Sequence, residues 1–142
     1  MIINYNCIKD ILKYLVNNTQ IKNEYDDKYR FEEISVDFLI KNFDGIYSSE
    51  DILETIQTLQ ECDYILADNI DFTKSHALHS YNIYRVKYSG QKFYESISSE
   101  DTWNKTLNIA KQIGNMSFDI IQSIAQNIAI TKSADLLKHI IP

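Results

Sequence analysis

His76 and His79 are the first residues whose types and spacing suggest chemistry. Two imidazoles three residues apart can share one helical face and hold a divalent metal. Here they fall in a polar connection, Asp68 to Ser80, with no second ligand pair at usable spacing. A solvated loop is the better reading, and no metal site is expected. His139 stands alone near the C-terminal end of the sequence and reads as structural. Asp26-Asp27 and Glu32-Glu33 read as solvated charge rather than an acid/base pair. The serines lack a Gly-x-Ser-x-Gly context. Glycines at 45, 90 and 114 are too far apart to cradle a phosphate. Cys7 and Cys62 sit on apolar helical faces and read as buried thiols rather than a disulfide or a metal pair. No nucleophile, base and orienting group come together, so the expectation is a non-enzymatic protein with no catalytic residues and no cofactor.

The charge is uneven. Residues 1–73 carry six basic groups against fifteen acids, a net −9; residues 74–142 carry eight against five, a net +3. Nucleic-acid binders normally present a basic face, because neutralising phosphates supplies most of their non-specific affinity. The amino-terminal half argues against that role. No run of eighteen apolar residues predicts a membrane span. The opening Met1-Ile2-Ile3-Asn4-Tyr5-Asn6 lacks the basic start and apolar run of a secretory signal. A cytoplasmic location is therefore expected.

The elements that must position any surface follow from periodicity. Ile8, Ile11, Leu12, Leu15 and Val16 predict a one-sided helix over Asn6 to Asn18, with Asn6 as its cap. Gln20 to Glu33 reads as a solvated loop, with a short strand through Tyr29, Phe31 and Ile34 by alternation. Ser35 caps a second helix, Val36 to Phe43, although Ile34 to Phe38 also alternates like a strand. Asp44-Gly45 is a turn. Ser48, with an acid three residues on, opens a third helix whose apolar positions are 52, 53, 56, 59 and 62. Tyr64-Ile65-Leu66 and Tyr81 to Tyr88 predict two strands of a hairpin. Ser89 caps the next helix, with Phe93, Tyr94 and Ile97 inward, and Ser98 or Ser99 caps another, which Gly114-Asn115 ends. Ser117 caps a last long helix from Phe118 to about Ile141.

Helix, short strand, two helices and a two-stranded wing give the order of a winged helix-turn-helix. The fold class expected is mainly α (α+β): a winged-helix-like domain over 1–97 with a C-terminal helical extension over 98–142. The segment Val86-Lys87-Tyr88-Ser89-Gly90-Gln91-Lys92-Phe93 resembles a signature found where the wing of such proteins enters the next helix. More narrowly, it resembles a family of small, often prophage-encoded bacterial proteins known only as a domain of unknown function. That family's pattern is Leu-Thr-Trp-x-Gly-His-x-Phe-Leu-x-x-Ile-Arg-Asp followed by a polar pair and Trp. Gly90, Phe93, Ile97 and Trp103 match its residue types in the same order. Tyr47-Ser48-Ser49-Glu50-Asp51-Ile52 and Leu59 to Ile65 resemble a second part of it. The family's Trp, His and Arg are Tyr88, Gln91 and Ser98 here, so any chemistry done by that His or Arg would be absent. The resemblance covers Tyr47 to Ile113. It implies a winged-helix-like fold and a phage or mobile-element setting, and it brings no activity.

Two partner classes remain. In a winged helix the third helix enters the major groove. Its outward residues here are Glu50, Asp51, Glu54, Thr55, Gln57, Thr58 and Glu61. Gln57, Thr55 and Thr58 suit base edges, but four acids would meet phosphate, and like charges ~4 Å apart repel by ~1 kcal/mol even in water. DNA contact would then rest on Lys74, Arg85, Lys87 and Lys92, around the wing. The reading preferred is protein binding through the acidic face Glu50, Asp51, Glu54 and Glu61. The stripe Ile120, Ile121, Ile124 and Ile128 on the last helix offers a homodimer contact.

Overall fold

A computed structural model describes residues 3–25, 28–70 and 81–140. Helix α1 runs Tyr5–Asn18 and buries Cys7, Ile8, Ile11, Leu12 and Leu15. Its cap is Asn4, not Asn6: the Asn4 side chain accepts from the Cys7 N–H at 3.1 Å, which moves the start one residue earlier.

The expected strand through Tyr29 and Phe31 is present, but it stops before Ile34, and the expected loop ahead of it holds a second strand that makes a hairpin. Strands β1 (Ile21–Tyr25) and β2 (Lys28–Phe31) pair antiparallel, Ile21 opposite Phe31 and Lys22 opposite Arg30. Ile21 and Tyr29 are more than three-fifths exposed. A ribbon wetted in this way need not alternate apolar with polar, so the sequence of β1 reads as loop. The Lys22–Glu32 ion pair at 2.9 Å adds a clasp at its base. Strand β3 is only Ile34–Ser35, separate from β2, and helix α2 follows at once over Val36–Asn42. Both readings of 34–38 thus hold in part: Ser35 ends the strand opposite Asn82, and its hydroxyl caps α2 from the Phe38 N–H at 3.1 Å.

Helix α3 runs Ser49–Glu61 and is capped by Ser48, whose hydroxyl accepts from the Asp51 N–H at 3.1 Å. Strands β4 (Ile65–Ala67) and β5 (Asn82–Val86) form the hairpin that follows. The sheet order is β3-β5-β4, all antiparallel, with a register shift between Leu66 and Ala67. The core of this region joins α1, α2 and α3 to the sheet through Leu12, Leu15, Leu39, Ile56, Leu59, Ile65 and Ile83, none more than 1% exposed.

Helix α4 runs Tyr88–Ile97, so Ser89 lies inside its first turn rather than capping it. The Ser89 hydroxyl donates instead to the Asp63 carbonyl at 2.7 Å. Helix α5 (Glu100–Ile113) is capped by Ser99 and ends at Gly114, which takes the left-handed conformation at φ 79°. Helix α6 runs Phe118–Ile140. The chain divides into two compact units, residues 1–91 and 92–142, and the division falls within α4. The fold is mainly helical with small antiparallel sheets. No described helix is long and apolar enough to cross a membrane.

Candidate interaction surface

Helix α3 has two faces made by one sequence. Ile52, Thr55, Ile56 and Leu59 point inward and are buried. Thr55 is therefore not on the outward face expected for it; at 3% exposure it lies beside Cys7. The outward face is a single file: Glu50, Glu54, Gln57 and Glu61 recur at four-, three- and four-residue steps, which stack on one side of a helix. Glu50, Gln57 and Glu61 are exposed and Glu54 is half-buried. The Gln57 amide donates to the Glu61 carboxylate at 3.4 Å, and no ion pair joins this file to a described cation.

Asp51 does different work. Its carboxylate accepts from the Asn4 amide at 3.2 Å, and its carbonyl accepts from the Cys7 thiol at 3.7 Å. It fastens α3 to the start of α1 rather than joining the outward file. Burial pushes the Cys7 thiol up to about 11, with the nearby Asp51 and Asp10 charges adding to the rise and a hydrogen bond to Thr55 opposing it. A thiol held neutral in this way is a weak nucleophile. Cys62, at the end of α3, is half-buried, and neither thiol is in a disulfide. Beside this junction, the Tyr47 hydroxyl donates to the Asp10 carboxylate. Burial first, then that bond, raises the Tyr47 phenol above its ordinary range.

Past α3, Asp63 adopts a left-handed φ of 62° and turns the chain into β4. The turn uses up a candidate cation, since Lys87 is ion-paired with Asp63. Arg85 is half-buried opposite Leu66 and already engaged, and Lys92 is exposed on α4 and likewise engaged. Lys74, His76 and His79 lie outside the described residues. Among the described residues no cluster of three or more His, Cys, Asp or Glu is arranged to hold a metal. His139 is exposed.

The open end of the β4–β5 hairpin is closed by a device invisible in the sequence. Asp68 accepts from the Asn82 N–H and from the Tyr84 hydroxyl, each at 3.0 Å, while its own N–H donates to the Asn82 carbonyl at 2.9 Å. Beside it, the Gln60 amide donates to the Ala67 carbonyl and to the Asn69 side chain, both at 2.9 Å. Gln57, Gln60, Glu61, Asn69 and Ile70 line a shallow cleft of about 300 Å³ at this end of α3.

Residues of the recurring motif are packing residues. A Cβ on Gly90 would stand 2.4 Å from the Tyr64 carbonyl oxygen and 2.9 Å from the Tyr64 Cβ, so only glycine lets α4 start against β4. Phe93, Ile97 and Trp103 are 1%, 0% and 3% exposed. Residues 3–117 match the family described as "Hypothetical protein (DUF2513)". The chain belongs to the DUF2513 family. That match takes in α1 through α5 and stops one residue before α6. The DUF2513 description carries no activity. No curated protein and no solved structure gives a significant match to the chain.

In the second unit, Ile121 is buried, whereas Ile120, Ile124 and Ile128 are half-buried. The proposed dimer stripe is thus split between the inside and the flank of α6. Further along, Ile130, Leu136, Leu137 and Ile140 are 54–72% exposed. Lys132 donates to the Thr102 hydroxyl at 2.7 Å and approaches Asp101 at 3.8 Å, fixing α6 antiparallel to α5.

Proposed function

We propose that the first unit is a winged helix-turn-helix-like module acting as a non-enzymatic interaction protein, which presents the outer face of α3 to a basic protein partner. The observation that carries this reading is the file Glu50, Glu54, Gln57 and Glu61. Like charges at i, i+4 cost a helix a few tenths of a kcal/mol, and a cationic partner turns that cost into attraction. Support for the winged-helix part is the order α1-β3-α2-α3-β4-β5 and the strand order β3-β5-β4. The β1–β2 hairpin is an addition to that plan. The phage or mobile-element setting rests on the sequence resemblance alone.

A DNA-binding regulator has less support. It needs Lys74, Arg85, Lys87 and Lys92 to meet phosphate, and Lys87 is held by Asp63. The test is fluorescence anisotropy of the full chain with a labelled lysine-rich helical peptide and, separately, a labelled DNA duplex, both at low salt. The peptide should bind and weaken steeply with added salt, while the duplex should not bind. Duplex binding that is lost in Arg85→Ala/Lys92→Ala would overturn the proposal in favour of the regulator.

A further inference from the structure

The α5–α6 hairpin carries a second surface of opposite character. On α5, Ile109 and Ile113 stand one turn apart; on α6, Ile120, Ile124 and Ile128 follow at four-residue steps. Ile109, Ile124 and Ile128 floor a groove of about 500 Å³ between the two helices. Ile113, the last residue of α5, is 61% exposed, whereas Ala110 in the same turn is buried. Lys105, Lys132 and Asp135 stand on the rim of the groove. Residues 92–142 carry five basic groups against five acids, so this unit is neutral.

We propose that this face is covered by a second copy of the chain, the two hairpins forming an antiparallel four-helix bundle about a two-fold axis parallel to the helices. Three arguments favour that occupant. First, in this arrangement each α5 lies antiparallel between two α6 helices, the ordinary packing of such bundles, and the same patch meets itself, as a two-fold contact requires. The isoleucines of one copy then lie against those of the other. Second, the charges complement themselves. Lys105, Lys132 and Asp135 share one end of the hairpin, so Asp135 of each copy falls among the lysines of the other, and neutral units approach without net repulsion. Third, the size suits a dimer that forms and dissociates with concentration. A face two helices wide, about 20 Å, and as long as α5, about 21 Å, covers about 400 Å² in projection, about half of the roughly 800 Å² per partner that a standard stable interface buries. This inference is independent of the acidic face of α3.

Sedimentation velocity on the full chain, from low to high micromolar, tests it. The expected result is a concentration-dependent species of twice the 16.6 kDa chain mass. Ile113→Glu, at an exposed position, should raise the dimer dissociation constant at least tenfold. Asp135→Lys should raise it about tenfold, and adding Lys105→Glu should restore most of the loss. A chain that stays monomeric throughout would overturn the proposal. So would a dimer that survives Ile113→Glu but dissolves in Leu137→Glu, because Leu137 lies half a helical turn from Ile128. Circular dichroism of each variant, expected unchanged, separates lost association from lost fold.

Discussion

Helices α3 and α6 show how differently one chain can use a helix. In α3 the two faces are cleanly separated: Ile52, Ile56 and Leu59 are sealed in the core, and the outside is an acidic file. In α6 the separation fails. Phe118, Ile121 and Ala125 are buried, yet Ile130, Leu136, Leu137 and Ile140 are open to water along its C-terminal half. The lesson is that α3 is finished by its own fold and addresses its surroundings through charge, whereas α6 leaves apolar surface unspent. The family boundary follows the same contrast, since the DUF2513 match holds α3 and ends before α6.

Mutations can break or sharpen this contrast. The largest effect is expected at the sealed face. Leu59→Ala should cost about 2–5 kcal/mol in a urea melt, for lost burial and the cavity left behind. Ile113→Ala, measured at a concentration where the chain is monomeric, should change stability by no more than about 0.5 kcal/mol. Equal losses at the two positions would break the distinction between a finished face and an open one.

A smaller effect is expected from alkali. The Cys7 thiol is held up at about 11 against an ordinary value of 9, so the folded state favours the neutral form. Its contribution is fully present below pH 9 and is lost as pH rises through 11. Two pH units correspond to about 2–3 kcal/mol. Melts across that range should therefore show a loss that is reduced in Cys7→Ala. An identical alkaline loss in the variant would mean that the α1–α3 junction is not the dry contact described.

The smallest effect should come from the acidic file. Glu54→Gln removes like-charge repulsion from Glu50 and should raise stability by about 0.2–0.5 kcal/mol. A decrease instead would mean that the Glu54 carboxylate already has a stabilising role within the fold.

How much of this could be read beforehand varied with the kind of interaction. Helix α3 was legible because a serine cap and a periodic apolar face are local signals: Ser48 and the buried Ile52, Ile56 and Leu59 fell as expected, whereas Leu53 and Cys62 are only half-buried and Thr55 is buried. The β4–β5 pairing was legible from alternation. Of the β1–β2 hairpin only β2 was, through Tyr29 and Phe31; β1 was not, because Ile21 is open to water and no buried face marks a period there. Asn6 was the nearer cap by sequence, but the contact from Asn4 to Asp51, 47 residues away, holds the true cap in place. The Asp68 clamp and the fit of Gly90 against Tyr64 join residues 14 to 26 apart, and only the folded chain brings them together. Within the candidate surface, the acidic file was legible by residue type, while the separate duty of Asp51 and the loss of Lys87 to Asp63 were not.

The account's central claim is that the acidic file of α3 is a docking face for a basic partner. Its most direct test compares the native chain with Glu50→Gln/Glu54→Gln/Glu61→Gln, by anisotropy against the lysine-rich peptide at low salt. The account predicts that the native chain binds, and that the folded variant binds at least tenfold more weakly. Equal binding by the two, or none by the native chain, would contradict it.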